Sequence, residues 1–178
     1  MPEEPPIGMI AGNGIYPATF ARAAREAGVS KLVAAAFKNE TDPSLEALVD
    51  SLAWFRVGQL GKLIKFFKQE CIDRAVMVGQ IAPKNLYELR PDIRTALMIA
   101  KLKERNAESL FSGIADELAK DDIELLPATT YLDSLLPGPG QVAGPPLSEK
   151  RLADVSFGMR IAKEISRLDI VQTVVVNQ

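Results

Sequence analysis

Five short apolar runs, at residues 7–11, 31–37, 51–57, 74–78 and 123–126, constrain this chain more than anything else in it. Each is nearly continuous in apolar side chains and too short for a buried helix, and the segments between them have helical spacing. A strand that is apolar on both faces has to be covered on both faces. Strands alternating with helices therefore predict an α/β fold, a Rossmann-like, doubly wound parallel sheet with helices on either side. The predicted helices are 18–27 after Pro17, a short one at 43–49, then 60–71, 92–103, and 107–120 with Asn106 as N-cap. In 60–71 the apolar face is Leu60, Leu63, Ile64, Phe67 and Cys71. Trp54 and Cys71 are expected in the core, and Asp121-Asp122 in a solvated turn.

The pattern changes at residue 137. Residues 137–147, rich in proline and glycine, read as a linker between a Rossmann-like domain at 1–136 and a shorter segment at 148–178. That segment is predicted to hold a helix at 149–167, capped by Ser148, and a strand at 171–176. The helix carries the stripe Leu152, Val155, Met159, Ala162 and Ile165. One helix and one strand bury no core of their own. They either dock on the first domain or open a second one. The second is expected, because the sequence stops directly on an apolar strand.

Composition excludes several classes of function. The chain has 178 residues, 25% of them charged, and a formal net charge of -2, without the basic field of a duplex DNA or RNA binder. It has no histidine. That removes Ser-His and Cys-His nucleophile pairs and every histidine metal site, leaving carboxylates, lysine, tyrosine or a hard metal held by oxygen ligands. The single cysteine, Cys71, makes no internal disulfide and suits a reducing compartment. The start is acidic and proline-rich, unlike a signal peptide, and no apolar run approaches the roughly 20 residues that span a bilayer. A cytoplasmic location is expected.

Three of the strands end in a glycine corner with a polar amide: Gly12-Asn13-Gly14, Gly58-Gln59-Leu60-Gly61 and Gly79-Gln80. In a parallel sheet these corners share one edge. Glycine lets backbone approach a ligand, and the helix that follows points N–H groups at an anion, so the corners outline a crevice for a phosphorylated ligand. The competing reading is that each glycine only satisfies a tight strand-to-helix turn. Gly12-Asn13-Gly14-Ile15-Tyr16-Pro17 approaches a dinucleotide fingerprint without its third glycine, and Phe37-Lys38-Asn39 stands where an acidic residue would follow the second strand. Lys38 would suit a 2′-phosphate or simply be solvated. Lys84, Arg90 and Arg94 follow the third corner and either reach an anion or face solvent. Lys62, Lys65 and Lys68, interleaved with Phe66 and Phe67, form a solvated helix face or touch a membrane surface or acyl chain. On these residues alone, a non-catalytic sugar- or nucleotide-binding module and an NADP-dependent oxidoreductase both stay open.

Four segments carry a resemblance in order: Gly8-Met9-Ile10-Ala11-Gly12-Asn13-Gly14-Ile15-Tyr16-Pro17, Val57-Gly58-Gln59-Leu60-Gly61-Lys62-Leu63, Gly79-Gln80-Ile81, and Arg167-Leu168-Asp169-Ile170-Val171-Gln172. Together they resemble the two-domain UDP-2,3-diacylglucosamine pyrophosphatases of lipid A biosynthesis. The resemblance implies a Rossmann-like domain linked to a second α/β domain, with the acylated UDP-sugar held between them. It implies hydrolysis of the pyrophosphate with a divalent metal, usually Mg2+, to UMP and diacylglucosamine 1-phosphate. Gly12, Asn13, Gly14, Gly58, Gln59, Gly79, Gln80 and Lys84 would hold the sugar-phosphate part, with Asp169 and Gln172 at the domain boundary. It further implies a homodimer; transient, peripheral contact with the inner membrane is the expectation that goes with the membrane reading of the Lys62, Lys65 and Lys68 face. Val171 stands where the family commonly has glycine. The family's acidic Glu-Gly-Thr-Asp-like segment does not occur in this sequence, so the chain is expected to be an inactive fragment.

Overall fold

The computed structural model describes residues 4–81, 91–102, 107–167 and 173–176. The chain divides into two compact units, Met1–Leu136 and Pro137–Gln178.

In the first unit the strands are β1 (Ile7–Ala11), β2 (Leu32–Phe37), β3 (Ser51–Phe55), β4 (Arg74–Val78) and β5 (Glu124–Leu125), and the helices are α1 (Tyr16–Glu26), α2 (Leu60–Gln69), α3 (Ile93–Lys101) and α4 (Ala107–Ala119). Every strand pairing is parallel and the order is β3-β2-β1-β4-β5. This is the Rossmann-like, doubly wound sheet, with its order reversing at β1. Ile7, Met9 and Ala11 pack with Phe20, Ala24 and Leu45 on one face. Ile10, Val33 and Ala35 pack with Leu63, Ile64, Phe67, Met98 and Leu118 on the other. Period-2 alternation in a strand buried on both sides divides one apolar run between two cores.

Most elements fall within two residues of expectation, and the differences have physical causes. Helix α2 stops at Gln69, two residues early, because Cys71 turns left-handed at φ 59. The N–H of Cys71 donates to the Lys68 carbonyl (3.1 Å) and that of Ile72 to Phe67 (2.9 Å), a Schellman closure with cysteine where glycine is usual. Cys71 is consequently exposed and off the core face. Trp54 is also outside the core, 37% exposed on β3, which is an edge strand.

In the second unit α5 spans Glu149–Arg167. The Arg151 N–H donates to Ser148 Oγ at 3.4 Å, a long version of the expected cap. Leu152, Val155 and Met159 of its stripe are exposed. Residues 173–176 form no strand, and this unit supplies no partner strand among the described residues. Val171, Asp169 and Gln172 lie outside the described residues, as do Lys84, Arg90 and Asn106.

Candidate functional site at the carboxyl edge of the sheet

Parallel pairing places the ends of β1, β3 and β4 at one edge, and only β1 and β4 are neighbours there. Their corners are locked backbone to backbone. The Asn13 N–H donates to the Gln80 carbonyl (2.7 Å) and the Gln80 N–H to the Asn13 carbonyl (3.2 Å). A Cβ on Gly12 would sit 2.3 Å from the Gln80 carbonyl oxygen, and one on Gly79 would sit 2.6 Å from that of Asn13. These two glycines are there for the approach of one corner to the other, at the point where strand order reverses and ligands of open α/β sheets bind.

The turn after β2 closes the other flank. Asn39 takes a left-handed φ of 66, bringing Glu40 and Thr41 back over the sheet edge. Thr41 Oγ donates to the Ala11 carbonyl (2.5 Å) and accepts from the Phe37 N–H (2.8 Å). Asn13 Nδ2 donates to Glu40 Oε2 at 2.5 Å, and Glu40 is only 8% exposed. The Tyr16 hydroxyl donates to the Ala128 carbonyl (2.6 Å), fixing the start of α1. The site therefore brings together an oriented amide, a buried carboxylate and the exposed Gln80. Carboxylate and amide oxygens accept hydrogen bonds from sugar hydroxyls, whereas a phosphate beside Glu40 would meet like charge. Sequence reading misses Glu40 and Thr41. Their signal is Asn39 followed by Asp42-Pro43, a turn composition that folds the chain back on itself.

The Gly58-Gln59-Leu60-Gly61 corner is two strands from β1, and its own chain occupies it. Asp92 Oδ2 accepts from the N–H groups of Gly61 (2.8 Å) and Lys62 (3.3 Å), and Thr95 Oγ accepts from that of Leu60 (3.1 Å). Gln59 Oε1 accepts from the Arg56 N–H at 2.9 Å. Asp92 also caps α3 through Oδ1, which accepts from the Thr95 N–H at 2.9 Å. Burial pushes the Asp92 carboxyl up, but bonds from Thr95, Lys62 and Gly61 outweigh it and hold the carboxyl below its ordinary range. The N–H groups expected to meet a ligand anion here meet an internal carboxylate.

Arg94 is committed as well. It donates to Glu117 Oε2 (2.7 Å), the Glu117 carbonyl (2.7 Å) and Asp121 Oδ2 (2.5 Å). Asp121 also pairs with Lys68 at 3.1 Å, so in the expected Asp121-Asp122 turn only Asp122 is exposed, while Asp121 ties helices together. Hydrogen bonds from Arg94 and then Lys68 hold the Asp121 carboxyl low, and those from Lys120 and then Arg94 do the same for Glu117. A carboxyl depressed in the folded state contributes stability above its unfolded pKa, and that stability is lost as pH falls through the folded value. Acid should therefore loosen this helical layer below about pH 4. Arg94→Met should be less stable near neutrality, with a shallower loss on acidification when urea midpoints are compared across pH.

A family model described as the LpxI N-terminal domain matches residues 6–135, and one described as the LpxI C-terminal domain matches residues 138–178. A curated relative, the UDP-2,3-diacylglucosamine pyrophosphatase LpxI of Caulobacter vibrioides, is 27% identical over 173 residues. The alignment covers 96% of this chain, which spans 61% of the length of that relative. No helix among the described residues is long and apolar enough to cross a membrane.

Proposed function

This chain belongs to the LpxI family, and on that premise we propose that it serves hydrolysis of the pyrophosphate of UDP-2,3-diacylglucosamine in lipid A biosynthesis, giving UMP and diacylglucosamine 1-phosphate. The carrying observation is the pair of locked corners at the strand-order reversal, with Asn13 held by Glu40 beside them. We assign sugar hydroxyls to the acceptors of Asn13 and Glu40, with Gln80 across the crevice and Gly14 at its mouth. Glu40 disfavours NADP, whose 2′-phosphate would approach the end of β2.

We propose Mg2+ as the metal of the full reaction, a hard cation for a pyrophosphate. The described residues offer no cluster of three or more histidine, cysteine or acidic ligands, so none of them is assigned to it. The 178 residues are proposed to bind the sugar-phosphate without releasing UMP, since the acidic segment of the resemblance is not among them. A cytoplasmic location, contact with the inner membrane and a homodimer complete the proposal.

Thermal midpoints with diacylglucosamine 1-phosphate, UMP, UDP-diacylglucosamine and NADP at matched concentrations test this reading, because a ligand specific to the folded state raises the midpoint by mass action. Protection by the acyl-sugar ligands and none by NADP is expected. Protection by NADP alone would overturn it.

A further inference from the structure

The outer surface of α2 and α3 takes no part in the crevice. Ile93 is 81% exposed and Leu97 57% exposed, and with the exposed Ala100 they stand at i, i+4 and i+7 on one face of α3. Beside them α2 exposes Lys62 and Lys65, for which the described residues supply no ion pair. The carboxylates between these helices are consumed internally: Asp92 by helix N–H groups, and Glu117 and Asp121 by Arg94, Lys120 and Lys68. The exposed acids Glu108 and Asp116 are carried by α4, not by α2 or α3. A groove of about 360 Å³ runs beside α2, lined by Lys65, Lys68, Gln69, Arg94 and Asp121 among others. Asp121 is already paired with Lys68 and Arg94, which leaves Lys65 as the unpaired cation there among the described residues. An apolar strip flanked by unneutralised cations is complementary to a surface with anionic heads over an apolar interior.

We propose that the α2–α3 face docks on an anionic lipid surface, Ile93 and Leu97 entering the headgroup region while Lys62 and Lys65 meet lipid phosphates. The position of the patch gives the contact a purpose. The Asp92 bond to Gly61 puts the first turns of α2 and α3 at the carboxyl edge of the sheet, the edge that holds the Gly12 and Gly79 corners. Docking there brings the crevice to the bilayer from which an acylated sugar would enter. That purpose rests on the proposed function, but the docking itself is read without any sugar nucleotide, so the two fail separately.

The test is co-sedimentation of the 178-residue chain with vesicles of phosphatidylcholine alone or mixed with phosphatidylglycerol. Binding to the mixed vesicles only, weakening with salt, is expected. Lys62→Glu with Lys65→Glu should lower partitioning by at least about 20-fold, since each lysine near an anionic surface contributes roughly fivefold. Ile93→Ser with Leu97→Ser should weaken binding independently, with unchanged circular dichroism as the check on folding. Equal binding to both vesicle types, or anionic binding indifferent to both double variants, would overturn the proposal. So would a dimer in solution that Ile93→Ser with Leu97→Ser dissociates, which would make the patch a contact between copies. Full competition by soluble glycerol phosphate would also overturn it, leaving only a small-anion site.

Discussion

Gly12→Ala should lower unfolding free energy by about 3 kcal/mol and abolish protection by diacylglucosamine 1-phosphate. The added methyl would lie 2.3 Å from one Gln80 backbone atom and 2.7 Å from another, and backbone cannot swing aside as a flexible side chain can. The β1 and β4 corners would separate and the two bonds between Asn13 and Gln80 would break. Gly14→Ala is the control. Gly14 has a φ of +89, but a methyl added there would meet no atom within 4 Å, so only backbone strain of about 1 kcal/mol is expected. Urea unfolding and ligand protection of the two variants separate close approach from turn conformation.

Asp92→Ala should cost about 3 kcal/mol, much for one partly exposed residue. One carboxylate caps α3 and also receives two N–H groups of α2, so its loss leaves donors without acceptors at two helix N-termini. Asp92→Asn keeps the α3 cap while losing the charge, and should fall between alanine and the parent. If both variants unfold with the parent, the two helices do not depend on this residue. A gain in protection of Asp92→Ala by inorganic phosphate would show that the carboxylate occupies an anion site of the N-terminus of α2.

The sheet is legible in the sequence because its information is local. Residues 7–11 and 74–78 are apolar runs bounded by turns, and alternation with helices fixes parallel pairing once both faces need cover. The crevice is half legible. Glycines after β1 and β4 mark the corners, but nothing local states that their close partner is the opposite corner. Asp92 reads as an ordinary first-turn acid; its second role joins it to Gly61, 31 residues earlier, and depends on how α2 and α3 pack. Cys71 and Asp122 end helices in left-handed conformations that composition assigns to glycine, so the limit of α2 and the exposure of Cys71 escape a reading of the sequence together. Glu40 escapes it because a dinucleotide pattern looks for its acid directly at the strand end, and here a turn through Asn39 returns it to the edge.

In the proposed function the corners of β1 and β4, with Asn13 and Glu40, hold the hydroxyls of the ligand's sugar. Amide chemical shifts of the labelled chain, titrated with diacylglucosamine 1-phosphate, test that claim most directly. The largest changes should fall on Asn13, Gly14, Glu40 and Gln80, and Glu40→Gln should weaken them without moving the Asp92 and Gly61 signals. Changes confined to α3 or to residues beyond 137, with the corner amides unmoved, would contradict it.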